Sequence, residues 1–404
     1  MESSPPGSWI NHRLDRLAVC ELRLGRRRCS TFQVCGVVGL AVALVMGSAL
    51  AQARGLSPLV MAALFAGALA SSLALVFFTK VATGQEQLVY YHHEIVVVLG
   101  SALVLRLCDV PVLPHLDIVV LGLGAFLTCG RVGCFAVGCC YGRPHRRGVR
   151  YGTAHGEQGF SRAWVGARLL PIQLVESAFV GMVVVTGAAQ LLRGAAAGTT
   201  LTWYLTLYAL GRFCFEVVRG DPGRGWWIGF SQGQWISCGS LIAVVTLERA
   251  GRLPVVDWHL AAVATVAAAL LVMGVRRRLG AARVFRLFHP RHLHEVAELL
   301  GQSSDRSIGV RVLVGVTSQG LQISAGTIPS GSVDLQQVTF TWPSQPMSPD
   351  LARRLAELVR DLRAPDGQSQ LVERGTGVFH VLLSPPGSER LRDAPLGTRE
   401  APWS

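Results

Sequence analysis

The chain has 404 residues, of which 50% are hydrophobic and only 16% charged, whereas a soluble globular domain averages about 25% charged. A mean hydropathy of +0.40 excludes a disordered or collagen-like chain and argues against a wholly soluble one. The formal charge of +13 would ordinarily point to nucleic acid, but Lys80 is the single lysine and the arginines lie largely between apolar runs, as in membrane proteins, so no nucleic-acid partner is expected.

Residues 1–30 read as a basic N-terminal tail, with Arg13, Arg16, Arg23, Arg26, Arg27 and Arg28. No small-residue cleavage site stands out, so the first apolar run reads as an anchor or ordinary membrane helix. A membrane helix needs about 20 mostly apolar residues. Runs that approach this lie at 33–53, 57–79, 90–107, 112–130, 171–192, 199–218, 228–247 and 256–274. Five of them carry polar groups: the Tyr90–Glu94 run, Asp117, Gln173 with Glu176, Arg212 with Glu216, and Gln232 with Gln234. Such groups are expensive in hydrocarbon unless they face a partner or cavity, and their number favours a shared polar cavity over isolated helix pairs. Residues 31–275 are therefore expected to form an all-α polytopic membrane domain of seven or eight transmembrane helices. Segment 131–170 is a basic, Gly-rich connection, either an extramembrane loop or a cap.

Arg276, Arg277 and Arg278 close the last apolar run. Residues 285–390 read as a small soluble α+β domain. Its expected elements are a helix at 291–300, strands at 308–316, 321–328 and 333–342, a helix at 349–363 and a strand at 378–383. Ser348 and Pro349 supply the start signal of the second helix. His289, His292 and His294 could ligate a metal, but solvated surface histidines are the plainer reading. Residues 391–404 read as a disordered tail.

The densest chemistry lies at 130–143, where glycines that permit left-handed turns are interleaved with Arg131 and Arg143. Arginine's planar fork suits phosphate oxygens, so the segment could hold a phospholipid headgroup. A packed turn with arginines reaching to the interface is the alternative. Cys129, Cys134, Cys139 and Cys140 fall within the same stretch. Four thiolates could bind zinc, but the paired C-x-x-C form is missing, and cysteine also serves as a small buried apolar residue.

The full pattern G-R-x-G-x-F-x-x-G-x-x-x-G-R at 130–143 resembles the signature of bacterial prolipoprotein diacylglyceryl transferases. Further pieces follow in that family's order. Pro171–Glu176 resembles its P-x-Q-L-Y-E, with Val175 in place of Tyr. Tyr208–Arg219 resembles its Y-x-x-x-R-F-x-x-E-x-x-R helix, and Ser231–Ser237 its M-G-Q-x-x-S stretch. His92-His93 sits where the family has a His followed by two glycines, and Asp117 near the Asp of the next span. The resemblance runs from about 57 to 248.

The resemblance implies transfer of a diacylglyceryl group from phosphatidylglycerol to the lipobox cysteine thiol of a prolipoprotein, within the lipid bilayer of the bacterial cytoplasmic membrane and without a cofactor or metal. Carried over residue by residue, Arg131 and Arg212 are the expected phosphate clamp. His92 or His93 is the essential His, and Tyr208 is a hydrogen-bond donor. Arg143, Gln173, Glu176, Glu216, Arg219, Gly133 and Gly138 are expected to bind substrate or orient the clamp. Cys134 and Val137 stand where Asn is usual, Cys139 where Glu is usual, and Glu94 and Ile95 where the glycines are. These departures leave open another acceptor, or a non-catalytic phospholipid-binding scaffold. Counting arginines places the N-terminus, 131–170 and the C-terminal domain in the cytoplasm. The resemblance places the signature segment on the outer side.

Overall fold

The apolar runs and their flanking cap residues become long helices in the computed structural model, which describes residues 8–84, 89–279, 282–302, 312–330, 333–343, 347–365, 367–374 and 377–384. First come α1 (Ser8–Leu17) and a hairpin of β1 (Glu21–Leu24) and β2 (Arg27–Ser30). The N-terminal segment expected as a tail is thus folded from Ser8 onward. Four long helices follow: α2 (Thr31–Ala53), α3 (Pro58–Thr83), α4 (Tyr90–Leu107) and α5 (Val112–Val137). The connection after them holds β3 (Pro144–Arg150), the short α6 (Thr153–Glu157) and β4 (Arg168–Leu169). Next are α7 (Ile172–Leu192), α8 (Thr199–Val218), a hairpin of β5 (Trp226–Trp227) and β6 (Phe230–Ser231), then α9 (Gln232–Arg249) and α10 (Asp257–Leu279). The C-terminal region contains α11 (Ala282–Leu287), α12 (Pro290–Gln302), β7 (Val312–Val316), β8 (Gln322–Ser330), β9 (Val333–Thr341), α13 (Pro349–Arg363), β10 (Gln368–Glu373) and β11 (Phe379–Ser384).

Every expected apolar run is helical, although 228–231 belongs to the hairpin rather than to α9. Among the described residues, five helices are long and apolar enough to cross a membrane: α2, α3, α5, α7 and α10. The others, α4, α8 and α9, fall short of that, and they carry polar positions as α5 and α7 also do.

The chain divides into two units, one from residues 18–142 and 171–279, the other from 1–17, 143–170 and 280–404. In the first, α5 is the central helix. Its apolar stretch is 61% buried, against 17% for α3 and α10. It packs against α2, α4, α7 and α8. Gly124 permits the closest of these approaches, because a Cβ there would stand 2.5 Å from Val184 and 2.6 Å from the Tyr204 ring. Two charged side chains fix the turn from α7 into α8. Arg54 donates to the carbonyls of Leu191 and Ala195, both at 3.1 Å. Asp117, 1% exposed on α5, accepts from the Gly198 and Leu201 amides at 2.7 Å each. A carboxylate at the N-terminus of α8 satisfies orphan donors and matches the helix dipole.

The second unit joins three separated segments. The Asn11 side chain of α1 donates to the Arg146 carbonyl at 3.1 Å and accepts from the Gly148 amide at 3.0 Å. Asp15 accepts from the Arg150 amide at 2.8 Å and from Arg168 at 3.3 Å. The connection 143–170 therefore belongs with α1 and the C-terminal fold. That fold is a five-stranded antiparallel sheet in the order β10-β11-β9-β8-β7. Strand β10 went unread in the sequence. Helix α13 begins as expected, with the Ser348 hydroxyl accepting from the Leu351 amide at 3.4 Å. Its Leu355 and Val359 are fully buried, as are Phe340 and Val381 on the sheet. Val314 and Val316 on the edge strand β7 face outward, 69% and 60% exposed. Ile308, Val310 and residues 391–404 lie outside the described residues. His292 and His294 are not solvated surface groups. His292 is 3% exposed and bonds to the Leu287 carbonyl (2.7 Å) and the Thr317 hydroxyl (2.8 Å). His294 accepts from the Trp164 indole at 2.9 Å.

Asp117→Ala strands two buried amides, each of which loses a bond to a charged group. Thermal unfolding of the detergent-solubilised chain is expected to show a loss of about 2–5 kcal/mol, and Asp117→Asn a smaller one.

Candidate functional site

Helix α8 carries Tyr204, Tyr208, Arg212 and Glu216 at four-residue steps, so all four share one face. Arg219 ends the helix as its C-cap. Thirteen residues separate Arg212 from Thr199, so it stands about 20 Å along the helix from the Asp117-held end. At this far end two buried carboxylates organise four arginines. Glu176 of α7, 1% exposed, meets Arg131 of α5 at 3.0 Å and Arg212 at 3.4 Å. Glu216, 2% exposed, meets Arg212 and Arg224 at 2.5 Å each and Arg219 at 3.2 Å. Asp221 completes the set with two parallel 2.9 Å bonds from the Arg219 guanidinium. Gly233 of α9 makes room for Glu216, since a Cβ there would lie 3.0 Å from its carboxyl carbon. The capping box of Ser231 and Gln234 sets the position of that glycine at the start of α9.

Four guanidiniums meet three carboxylates here, which leaves one positive charge. Three donors on the same groups also have no partner: Nε of Arg131, Nε of Arg212 and the hydroxyl of Tyr208 are buried without a hydrogen bond. Tyr208 lies in the electrostatic field of Glu176, Arg212 and Arg131. Each buried unsatisfied donor costs about 1–3 kcal/mol, more when charged. An arrangement that keeps three of them beside surplus positive charge is suited to an anion with several oxygens. A tyrosine layer adjoins it. The Tyr90 and Tyr204 hydroxyls are 2.8 Å apart, and Tyr208 stacks on Tyr204 with ring centres 5.9 Å apart.

The sequence-identified residues distribute unevenly around this centre. Arg131, Glu176, Tyr208, Arg212, Glu216 and Arg219 come together. Gln173 reaches the turn after α5 instead, donating to the Cys139 carbonyl at 2.7 Å. Gly138 is the left-handed C-cap of α5, φ 82°. Gly133 faces α2, where a Cβ would stand 3.0 Å from Cys35 Cβ. Arg143 opens the connection in the other unit, its carbonyl accepting from the Leu170 amide at 3.0 Å. On α4 the residues in the field of Arg212 are Tyr91 and Glu94. The ring of His92 packs edge-on against Tyr91, and His93 Nε2 is buried without a partner. Val175, the departure within α7, is 49% exposed and away from the network.

Asp221, Arg224 and Tyr204 escaped the sequence reading, and Tyr90 was read only as part of the polar run that opens α4. The acid–base spacing of Glu216, Arg219, Asp221 and Arg224 was the available signal for the first two. The turn that holds this end in place is short. Gly142 pairs with Arg219, and the Gly220 amide donates to the Tyr141 carbonyl at 2.9 Å. Burial, reinforced by the negative charge of Asp221, holds the Tyr141 hydroxyl well above the usual tyrosine range.

Removing one carboxylate from a buried ion cluster leaves uncompensated charge and typically costs about 3–5 kcal/mol. Glu216→Ala is expected to lower stability by that amount in thermal unfolding. Val175→Ala, on the exposed face of α7, should stay within about 0.5 kcal/mol of the parent.

The family model for prolipoprotein diacylglyceryl transferase matches residues 22–248, more than half of this chain. The chain is also similar to the phosphatidylglycerol–prolipoprotein diacylglyceryl transferase 2 of Clostridium perfringens, 31% identical over 163 residues, which are 39% of this chain and 60% of that relative. It is similar again to the phosphatidylglycerol–prolipoprotein diacylglyceryl transferase of Clostridium tetani, 31% identical over 131 residues, 32% of this chain and 51% of that protein. The matches thus span half to three-fifths of the relatives' length. The family-model match includes the helices that carry Arg131, Glu176, Arg212 and Glu216, and the chain belongs to the prolipoprotein diacylglyceryl transferase family.

Proposed function

We propose that this protein transfers the diacylglyceryl group of phosphatidylglycerol to the lipobox cysteine of a prolipoprotein, as a multi-pass protein of the bacterial cytoplasmic membrane. The observation that carries the reading is the set of three unpartnered buried donors on Arg131, Arg212 and Tyr208. They sit in a network with one positive charge in excess. In the proposed reaction a cysteine sulfur forms a bond to a glyceryl carbon. The bond from that carbon to the phosphate oxygen breaks, and glycerol phosphate leaves with the electron pair. Negative charge accumulates on the leaving phosphate. Preformed donors that already lack a partner stabilise it with little reorganisation.

The sulfur must also lose its proton, and a free thiol has a pKa near 8.5. His93 is better supported than His92 as the group that accepts it, because its Nε2 is buried and unbonded. Glu176 and Glu216 act as positioning residues, holding Arg131, Arg212 and Arg219 in one geometry. Gln173 sets the turn after α5. The less apolar helices α4, α8 and α9 are assigned to the bundle that lines the site, which with the five apolar helices makes eight crossings. Glu94, in the field of Arg212, favours one second reading: an uncharged carboxyl group where the family has glycine alters which headgroup or acceptor fits, so the donor or acceptor differs from the usual pair.

The test is a transfer assay with purified protein, labelled phosphatidylglycerol and a synthetic lipobox peptide. Label is expected on the peptide cysteine. Arg212→Ala should slow transfer by roughly 10²–10³-fold, the range for loss of one charge-stabilising donor. His93→Ala should abolish it, and His92→Ala should retain most of it. Folded wild-type protein that moves no label to any lipobox peptide would overturn the reading.

A further inference from the structure

The turn after α5 gathers three thiols that the transfer reaction does not use. The sulfurs of Cys134, Cys139 and Cys140 all lie within 4.8 Å of one another. Cys134 is on the last turns of α5 and 9% exposed, and the other two are half-buried. The backbone folds them together. The amides of Gly138 and Cys139 both donate to the Cys134 carbonyl, at 3.0 and 3.1 Å. Gly138 then turns left-handed, and Cys140 does the same at φ 56°. A left-handed non-glycine residue costs of order 1 kcal/mol and persists only where its surroundings fix it. Here the turn is tied on two sides, by Gln173 on the Cys139 carbonyl and by the Tyr141–Gly220 bond. Cys129, the fourth thiol of the segment, lies outside the trio and neighbours Cys35 instead.

Two arginines, Arg131 and Arg219, act electrostatically on Cys140. Three thiolates around a divalent ion carry a net charge of −1, and the nearby guanidiniums, although ion-paired to Glu176, Glu216 and Asp221, lower the cost of that charge. Metal–sulfur bonds to zinc are about 2.3 Å long. In a triangle of sulfurs with edges up to 4.8 Å, the centre lies within reach of such bonds after a contraction of a few tenths of an ångström. All-thiolate donor sets select soft or borderline ions over magnesium or calcium. We propose that Cys134, Cys139 and Cys140 bind one zinc ion, which clips the C-terminal end of α5 to the turn that follows it. Three protein ligands leave a fourth position for a small ligand. The site does not depend on the transfer reaction, and its test does not use it.

The full chain is purified in detergent, reduced, and loaded with Co²⁺ as a spectroscopic stand-in. One equivalent with a thiolate-to-cobalt charge-transfer band, bleached by Zn²⁺, is expected. The band should be lost in Cys134→Ser, Cys139→Ser and Cys140→Ser and kept in Cys129→Ser. A second measurement needs no variant. Alkylation of each cysteine is followed by mass spectrometry with and without Zn²⁺. Bound zinc should slow alkylation of these three thiols alone, by about a hundredfold at free zinc a hundred times Kd. Absence of the band in reduced wild-type protein overturns the proposal. So does zinc protection that falls equally on Cys129 and the trio, or a band that survives in the trio variants.

Discussion

Four guanidinium groups can leave water for the end of a helix bundle only if carboxylates go with them. Glu176 and Glu216 meet that requirement from two helices, and much of the first unit is arranged around it. Glu176 ties α5 and α8 to α7 through Arg131 and Arg212. Glu216 ties α8 to the turn that carries Arg224, and Gly233 on α9 lets that carboxylate sit without a clash. Loss of either acid would expose the other groups to a desolvation penalty of several kcal/mol per ion. The network thus fixes which helices must be adjacent, and apolar packing of α5 fills the space between them.

The reason the set is also suited to chemistry lies in its imbalance. A fully compensated cluster would be a structural staple. This one keeps a surplus positive charge and leaves donors of Arg131, Arg212 and Tyr208 unbonded. Such a state is costly in isolation and becomes favourable when an anion arrives, which is the thermodynamic profile of a binding site.

The legible part of the molecule was the part governed by periodicity and by ordered motif spacing. Apolar runs announced each long helix. Ser348-Pro349 fixed the start of α13, and the four-residue spacing on α8 announced a single face. The residues that went unread depend on tertiary placement. Glu94 looked like a lost glycine, yet i, i+3 geometry on α4 sends it with Tyr91 towards Arg212. Gly133 belonged to the signature and packs on α2. Strand β10 has neither strong alternation nor β-branched enrichment, and pairing with β11 makes it a strand. The N-terminal segment was read by charge alone, whereas Asn11 and Asp15 find partners more than 130 residues away.

The composition of the second unit also constrains how the chain threads a bilayer. Its three pieces, α1, the 143–170 connection and the C-terminal fold, come from both sides of two helical blocks. Pieces of one folded unit must lie on the same face of a membrane. The chain can return to that face only after an even number of passes. Four long helices, α2 to α5, separate the first piece from the second, and four more, α7 to α10, separate the second from the third. Fixing the side of α1 would therefore also fix the side of the C-terminal sheet.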